Sequence, residues 1–374
     1  MTEAVIVVGA GYAGVIAANR IATGARDAAR VTVINPRADF VERIRLHQYA
    51  VDSGSARIEL RTLLDDRVRL VLGTVTKIDD GSVELADGAR LPYDRLVYAV
   101  GSAGAVPVVP GPLFRLDDVD QAERTRTALA VLTGGTVTFV GGGLTGIEAA
   151  AEAAGARPDL RIRLISQGEL AASLRPAERA RMRASLRRQG VEVIEGQRVT
   201  AVTERAVITG TGSHPTDLAI WSGSFGVPEL ARRSGLPVDR AGRLIVDETL
   251  TSTGDRRIVG AGDAIAAPAS VGFVRMSCQA ALPLGRAAAG TVLARLRDRT
   301  PDPVTISYVL QCVSLGRSDG AVHAVGHDDR SRGVSFGGLA AAWVKERICR
   351  FTVRTMRGTI DRPSRAGATE RIAA

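Results

Sequence analysis

The sequence predicts an α/β fold with parallel sheets, and three observations carry the prediction. A short apolar run at the N-terminus passes straight into a glycine-rich turn and a helical stretch, with a second apolar run beyond it. The same order of elements recurs in the middle of the chain. Strands alternating with helices form parallel sheets, because each return crossover needs a connecting element of that length. The third observation is composition: 41 of 374 residues are glycine while aromatics are 4%, so the chain turns tightly many times.

In the first unit Val5-Ile6-Val7-Val8 is the strand, Gly9-Ala10-Gly11-Tyr12-Ala13-Gly14 the turn, Val15 to Ile21 the helix and Val31-Thr32-Val33-Ile34 the next strand. That context makes a GxGxxG pattern a phosphate cradle. Gly9 permits the tight turn, Gly11 lets backbone N–H groups approach a pyrophosphate, and Gly14 allows close packing of helix on strand. The helix N-terminus adds partial positive charge. Asn35, 21 residues after Gly14 (35 − 14), stands where an acidic residue commonly holds a ribose. Its amide can bond ribose hydroxyls instead.

Thr136 to Val140, Gly141-Gly142-Gly143-Leu144-Thr145-Gly146, Ile147 to Ala154 and Arg161 to Ile165 repeat the unit 132 residues later (141 − 9). Two cradles imply two dinucleotides on one chain, and hydride transfer between a nicotinamide and a flavin is the chemistry that profits. Here the ribose position is Ser166, 20 residues after Gly146 (166 − 146), with Gln167 beside it. Loss of a carboxylate there removes repulsion against a 2′-phosphate, and Arg175 could reach back toward it, which leans the reading toward NADPH. Glu169 is the alternative anchor, for NADH.

With these units in place the chain resembles the two-dinucleotide flavoproteins of the pyridine nucleotide–disulfide oxidoreductase superfamily, over about residues 1–300. Ile258-Val259-Gly260-Ala261-Gly262-Asp263 resembles that family's late strand, whose Asp bonds the flavin ribityl chain. Tyr98-Ala99-Val100-Gly101 resembles its turn leaving the FAD domain, and Gly73-Thr74-Val75 its segment whose backbone contacts the adenine. The resemblance implies FAD as cofactor and NAD(P)H as co-substrate. It also implies two Rossmann-like domains, the second inserted in the first: residues 1–110 and 226–303 for FAD, 111–225 for NAD(P). Residues 304–374 then form a small α+β C-terminal domain with a basic helix and tail.

Departures from the family narrow the reaction. The disulfide branch has a CxxxxC pair early in the FAD domain, whereas Cys278, Cys312 and Cys349 are the cysteines here. Electrons must leave the flavin directly, to a small acceptor or a partner protein. Among disulfide-free branches the chain is most similar to type II NADH dehydrogenases. Gln279, Ala281 and Gly285 match their Ala-Gln-x-Ala-x-Gln-Gln-Gly motif, while Cys278 replaces its Ala and Pro283-Leu284 its paired glutamines. Gln279 is thereby a candidate catalytic residue, and Cys278 is either near the isoalloxazine or a small core thiol. Arg43 and Leu46 match the reductases' Arg-Pro-Pro-Leu-Ser-Lys-like segment, so Arg43 is the candidate ligand of the FAD pyrophosphate or ribityl region, with Arg45 as rival. His47 in the same segment is a candidate proton donor to a reduced acceptor, since imidazole titrates near neutrality; the other reading is a structural or surface histidine. Glu148 matches a position facing the nicotinamide site. The hydride step needs no side-chain nucleophile, only positioning at roughly 3–3.5 Å.

The formal charge is +9, and of the 49 basic residues only Lys77 and Lys345 are lysines. Residues 1–110 carry 13 basic and 13 acidic groups, whereas residues 339–374 carry 8 and 3, a net of +5 (8 − 3). The excess is therefore C-terminal, which argues against nucleic acid over the main domains. Arg347, Arg350, Arg354 and Arg357 recur at helical spacing in residues 339–357, with Val344, Ile348, Cys349, Phe351 and Met356 on the other side. This basic helix is either a peripheral membrane contact or a helix packed on the body with solvated arginines. The uncharged stretches are broken by proline or glycine, and no basic leader precedes the first strand, so the expected location is cytoplasmic. His323-x-x-x-His327 spans a strand-like run, and no metal is expected. Residues 362–374 are expected to be a disordered tail.

The reading is an FAD enzyme passing electrons from NAD(P)H to a quinone-like or other small acceptor. The alternatives are a soluble reductase for a ferredoxin-like partner, a tailoring oxidoreductase, or a non-turnover binding module responding to FAD and NAD. A homodimer is left open.

Overall fold

Val5 and Val7 are fully buried, as are Val31 and Val33 in the next strand, because both faces of the sheet they build are covered. The computed structural model describes residues 2–104, 109–223, 225–358 and 369–371. Its helices are α1 (Tyr12–Ala25), α2 (Leu46–Ala50), α3 (Val119–Ala130), α4 (Leu144–Ala156), α5 (Pro176–Arg188), α6 (Leu230–Arg233), α7 (Cys278–Arg295) and α8 (Leu339–Arg357).

The first sheet is parallel, in the order Ile258–Gly260, Arg95–Tyr98, Glu3–Val8, Ala29–Asn35, Val68–Leu72, Thr369–Arg371. Chain from both ends of the sequence thus completes it. Helices α1 and α7 pack so closely that a Cβ on Gly285 would collide with the Ala13 carbonyl. The second sheet is also parallel, Phe114–Arg115, Leu218–Trp221, Thr136–Val140, Arg161–Ile165, Glu192–Ile194. Each sheet with its helices is a Rossmann-like unit.

A third sheet, antiparallel, joins Leu310–Ser314, Gly320–Val325 and Ser331–Gly337, with α8 packed on it. Its last strand has no buried face to mark it, since Arg332 to Phe336 are all exposed. One hydrophobic core contains Leu46 and Ala50 of α2, Ile147 and Ala150 of α4, and Val313 and Ala321 of the third sheet. Three regions far apart in sequence are therefore locked together.

Two expectations for the C-terminus need correction. Residues 362–368 and 372–374 of the expected tail lie outside the described residues, but Thr369–Arg371 pair in parallel with Leu70–Leu72, where the open sheet edge offers backbone donors and acceptors. On α8 the inward face is Ala341, Cys349, Thr352 and Met356 with Lys345 between them, while Phe351 lies outside, 62% exposed, beside the arginine stripe. No helix among the described residues is long and apolar enough to cross a membrane.

Candidate active site

The first cradle has the backbone its glycines were expected to allow. Gly9 sits at φ +96°, and a Cβ there would collide with the Ala99 carbonyl; a Cβ on Gly14 would collide with the Gly9 carbonyl. Gly11 instead has nothing within 4 Å of where a Cβ would stand. It is the N-cap of α1 and supplies no side-chain cap, so the first N–H groups of that helix are left for an anion. Asn35 holds the loop, accepting from the Ala10 N–H at 3.0 Å and donating to the Arg37 carbonyl at 2.8 Å. Its acceptor is thus already engaged by the cradle. Val75 begins the strand Val75–Asp79, two residues after Gly73, whose N–H bonds the Asn35 carbonyl at 3.0 Å.

Beyond the cradle, Arg43 Nη1 donates to the Ser102 carbonyl at 2.9 Å, and Ser102 Oγ donates to Asp263 Oδ2 at 2.7 Å. Gly101, at φ +68°, faces open space beside them. Arg43 Nη2 and Asp263 Oδ1 are buried with no hydrogen-bond partner among the described residues. Burial pushes the Arg43 guanidinium down and the Asp263 carboxyl up, each opposed by the other's charge. Buried polar atoms are rarely left so, because each costs about 1–3 kcal/mol. Together with the open cradle at Gly11, they fit a ligand carrying phosphates at one end and hydroxyls at the other, as FAD does. Arg45 goes elsewhere, making a two-pronged bond to Glu346 of α8, both contacts 3.0 Å.

The second cradle repeats the pattern. Gly141 is at φ +127°, a Cβ on Gly146 would collide with the Gly141 carbonyl, and Gly143 is open. Ser166 is buried directly beneath Gly142, where a Cβ would strike its hydroxyl. Arg175 does not reach back toward it: the guanidinium lies against Gly333 of the third sheet. The charged groups at this end are instead Glu169, paired with Arg179 at 2.9 Å and Arg183 at 3.5 Å, and Glu195, paired with Arg183 at 2.6 Å.

Glu148 and His47 do come together, with a residue the sequence reading did not select. Glu148 Oε1 is 3.0 Å from the Lys345 ammonium and accepts from the Ser314 N–H at 2.8 Å. Only 14% of the Glu148 side chain and 18% of the Lys345 side chain is exposed. Burial alone would raise the Glu148 carboxyl, but Lys345, His47 and the Ser314 N–H bring it below the usual carboxylate range. Burial alone would lower Lys345, but Glu148 raises it above the ordinary lysine value. His47 is pushed down by burial, against the pull of Glu148 and Glu152. The Lys345 charge also acts on all three cysteines, including Cys278, the first residue of α7, which feels the Asp263 charge as well. The ammonium also donates to the Cys312 carbonyl at 3.2 Å.

Lys345 did carry a sequence signal: it is one of two lysines among 49 basic residues. Gln279 lies outside this cluster. Its Oε1 accepts from Arg275 at 2.7 Å, and Arg275 is held by Asp329 at 2.6 Å.

Comparison with known proteins agrees with this geometry. Residues 3–284 match the model of the pyridine nucleotide-disulphide oxidoreductase family. An NADH dehydrogenase-like protein of Mycobacterium tuberculosis is 33% identical, with 92% of each chain covered. The type II NADH:quinone oxidoreductase of Haemophilus influenzae is 24% identical over 79% of this chain and 81% of its own. In fold, the chain is similar to NDH2 from Plasmodium falciparum in complex with NADH, with TM-score 0.80, 15% identity and 96% of each chain covered. The cysteines are free, so the disulfide of the family's name is absent here. The chain belongs to the pyridine nucleotide-disulphide oxidoreductase family and is a flavin-dependent oxidoreductase that binds FAD and uses NAD(P)H.

Proposed function

We propose that this enzyme oxidises NADH and reduces a quinone-like acceptor, which it meets at a membrane surface. The observation that carries the reading is the buried Glu148–Lys345 pair. A protein partner that takes electrons alone needs no proton in the site, whereas a quinone takes two electrons and two protons. A buried ammonium, with its charge balanced by a carboxylate, is a proton source for such an acceptor.

The cofactor-binding roles follow from the cradles. Gly9, Gly11 and Gly14, with Asn35, Arg43, Val75, Gly101 and Asp263, hold FAD, which when bound accepts hydride from the nicotinamide and releases electrons to the acceptor. Gly141, Gly143 and Gly146 hold the nicotinamide dinucleotide, with Ser166 supporting the loop. Glu169 is the ribose anchor. Arg179 and Arg183 are already neutralised by Glu169 and Glu195, so a 2′-phosphate would face a carboxylate and have to break ion pairs. That favours NADH, against the lean toward NADPH drawn from Ser166 and Arg175. Gln279, gripped by Arg275, positions the start of α7.

The membrane reading rests on the outer face of α8. Leu339, Trp343 and Phe351 are exposed there among Arg347, Arg350 and Arg354, and Val334 and Phe336 are exposed on the strand before it. Arg347 lies over the Trp343 ring, 5.3 Å from its centroid. Aromatic and aliphatic groups rimmed by arginine suit an anionic lipid interface, where a lipophilic acceptor also resides.

Anaerobic stopped-flow reduction by NADH, followed by mixing with a short-chain ubiquinone, tests the function. Rapid bleaching and rapid reoxidation by the quinone are expected. Bleaching without reoxidation by any quinone, while a ferredoxin reoxidises the flavin, would overturn the acceptor assignment.

A further inference from the structure

Glu148 and Glu152 are one turn apart on α4 and so share a face. Helix α2 belongs to the same hydrophobic core and brings His47 to that face. His47 is 5% exposed, and its Nε2 is buried with no hydrogen-bond partner among the described residues. The charged groups acting on it are Glu148 and Glu152 from α4, Lys345 from α8, and Arg317 from the loop of the third sheet.

Glu152 continues the series outward. Its Oε1 accepts from Ser53 Oγ at 2.5 Å and from Arg317 Nε at 2.7 Å, while Oε2 is buried without a partner among the described residues. Arg317 is 53% exposed, so this end reaches solvent. Gly54 covers it without a side chain: a Cβ there would stand 3.2 Å from Gln48 Oε1 and 3.3 Å from Arg317 Nη2. Lys345 of α8, Glu148 and Glu152 of α4 and His47 of α2 thus gather in one buried cluster, which Glu152 joins to the surface through Ser53 and Arg317.

We propose that His47 is a proton relay, passing protons from solvent through Glu152 to Glu148 and so restoring the proton that Lys345 gives to the acceptor. The proposal rests on the quinone-like acceptor above. The overall balance requires it: NADH + H⁺ + quinone gives NAD⁺ + quinol. The nicotinamide hydride brings two electrons and one proton, and the second proton must come from solvent. At Lys345 one N–H bond breaks as the quinol O–H forms, and the amine then takes a proton delivered through Glu148. His47 passes the proton on by accepting it at one ring nitrogen and releasing one from the other. A resting neutral imidazole, which burial favours, is ready for that exchange.

The test compares FAD-loaded wild type, His47→Gln and Glu152→Gln with two acceptors. Ferricyanide takes electrons without protons, whereas a short-chain ubiquinone needs both. The expected result is a fall of roughly 10- to 100-fold in the ratio of quinone to ferricyanide turnover for both variants. A larger solvent deuterium effect on quinone turnover and partial rescue of His47→Gln by added imidazole should accompany it. An unchanged ratio overturns the relay, as does an equal loss with both acceptors, which marks a structural role. Wild-type enzyme that turns over ferricyanide but no quinone overturns the acceptor reading itself, and the relay with it.

Discussion

The Lys345 ammonium lies 3.0 Å from Glu148 Oε1 and ties the C-terminal helix to the helix of the second dinucleotide cradle. Both side chains are largely removed from water, so each charge depends on the other. Removing one partner of a buried pair leaves an uncompensated charge, which is why such pairs are far more costly to break than to replace whole.

Substitutions at this pair should separate stability from proton supply. Lys345→Met is expected to lower stability by about 3 kcal/mol, the low end for breaking a buried pair. Lys345→Arg should retain much of that stability but lose quinone turnover, because guanidinium does not release its proton. Urea denaturation alongside quinone and ferricyanide assays checks both. Full quinone activity in Lys345→Arg would remove the ammonium as proton source.

The same groups set a pH dependence with a defined sign. Glu148 is held below its ordinary value near 4.5, so its contribution is present above that value and lost as pH falls through the lower folded one. His47 is held below its ordinary 6.5, so the unfolded chain binds the extra proton first and stability also falls as pH drops from there. His47→Gln should flatten the upper part of this decline, and Glu148→Gln the lower part. Melting temperatures from pH 3 to 8 would show it; parallel curves for all three proteins would contradict the assignment.

Coenzyme choice should turn on Glu169. Its replacement by Gln removes the carboxylate and leaves the Arg179 guanidinium for a phosphate, while Arg183 stays with Glu195. The ratio of kcat/KM for NADPH to that for NADH is expected to rise about tenfold or more. An unchanged ratio places the ribose elsewhere.

The second and third glycines of the first cradle should fail differently. A Cβ on Gly14 meets the Gly9 carbonyl, so Gly14→Ala is expected to destabilise the fold. At Gly11 there is open space, so Gly11→Val should fold yet block the phosphate and copurify with little FAD. Far-UV circular dichroism and the flavin-to-protein absorbance ratio distinguish the outcomes. A fully yellow Gly11→Val protein would move the pyrophosphate away from this turn.

Membrane contact should depend on the outer face of α8. Replacing Leu339, Trp343 and Phe351 by Ser removes apolar surface that is already exposed, so the fold should be retained while co-sedimentation with anionic liposomes falls several-fold. Equal pelleting of both proteins would assign the arginine stripe to solvent.

The two cradles, Asp263 and the absence of an early cysteine pair were legible in the sequence, because each is a local pattern. A glycine turn between a strand and a helix imposes its backbone through contacts a few residues apart, as at Gly9 and Gly14. The family-like segment favoured Arg43 over its rival Arg45, but two residues of spacing could not say that Arg43 meets Ser102 and Arg45 meets Glu346. The arginine period of α8 likewise concealed its inward face, where Lys345 sits. Only the tertiary structure brought His47, Glu148 and Lys345 together, from three regions distant in the chain. The physical reason is burial: packing α2 on α4, and the third sheet against both α4 and α8, excludes water from these charges, and only then must they find one another.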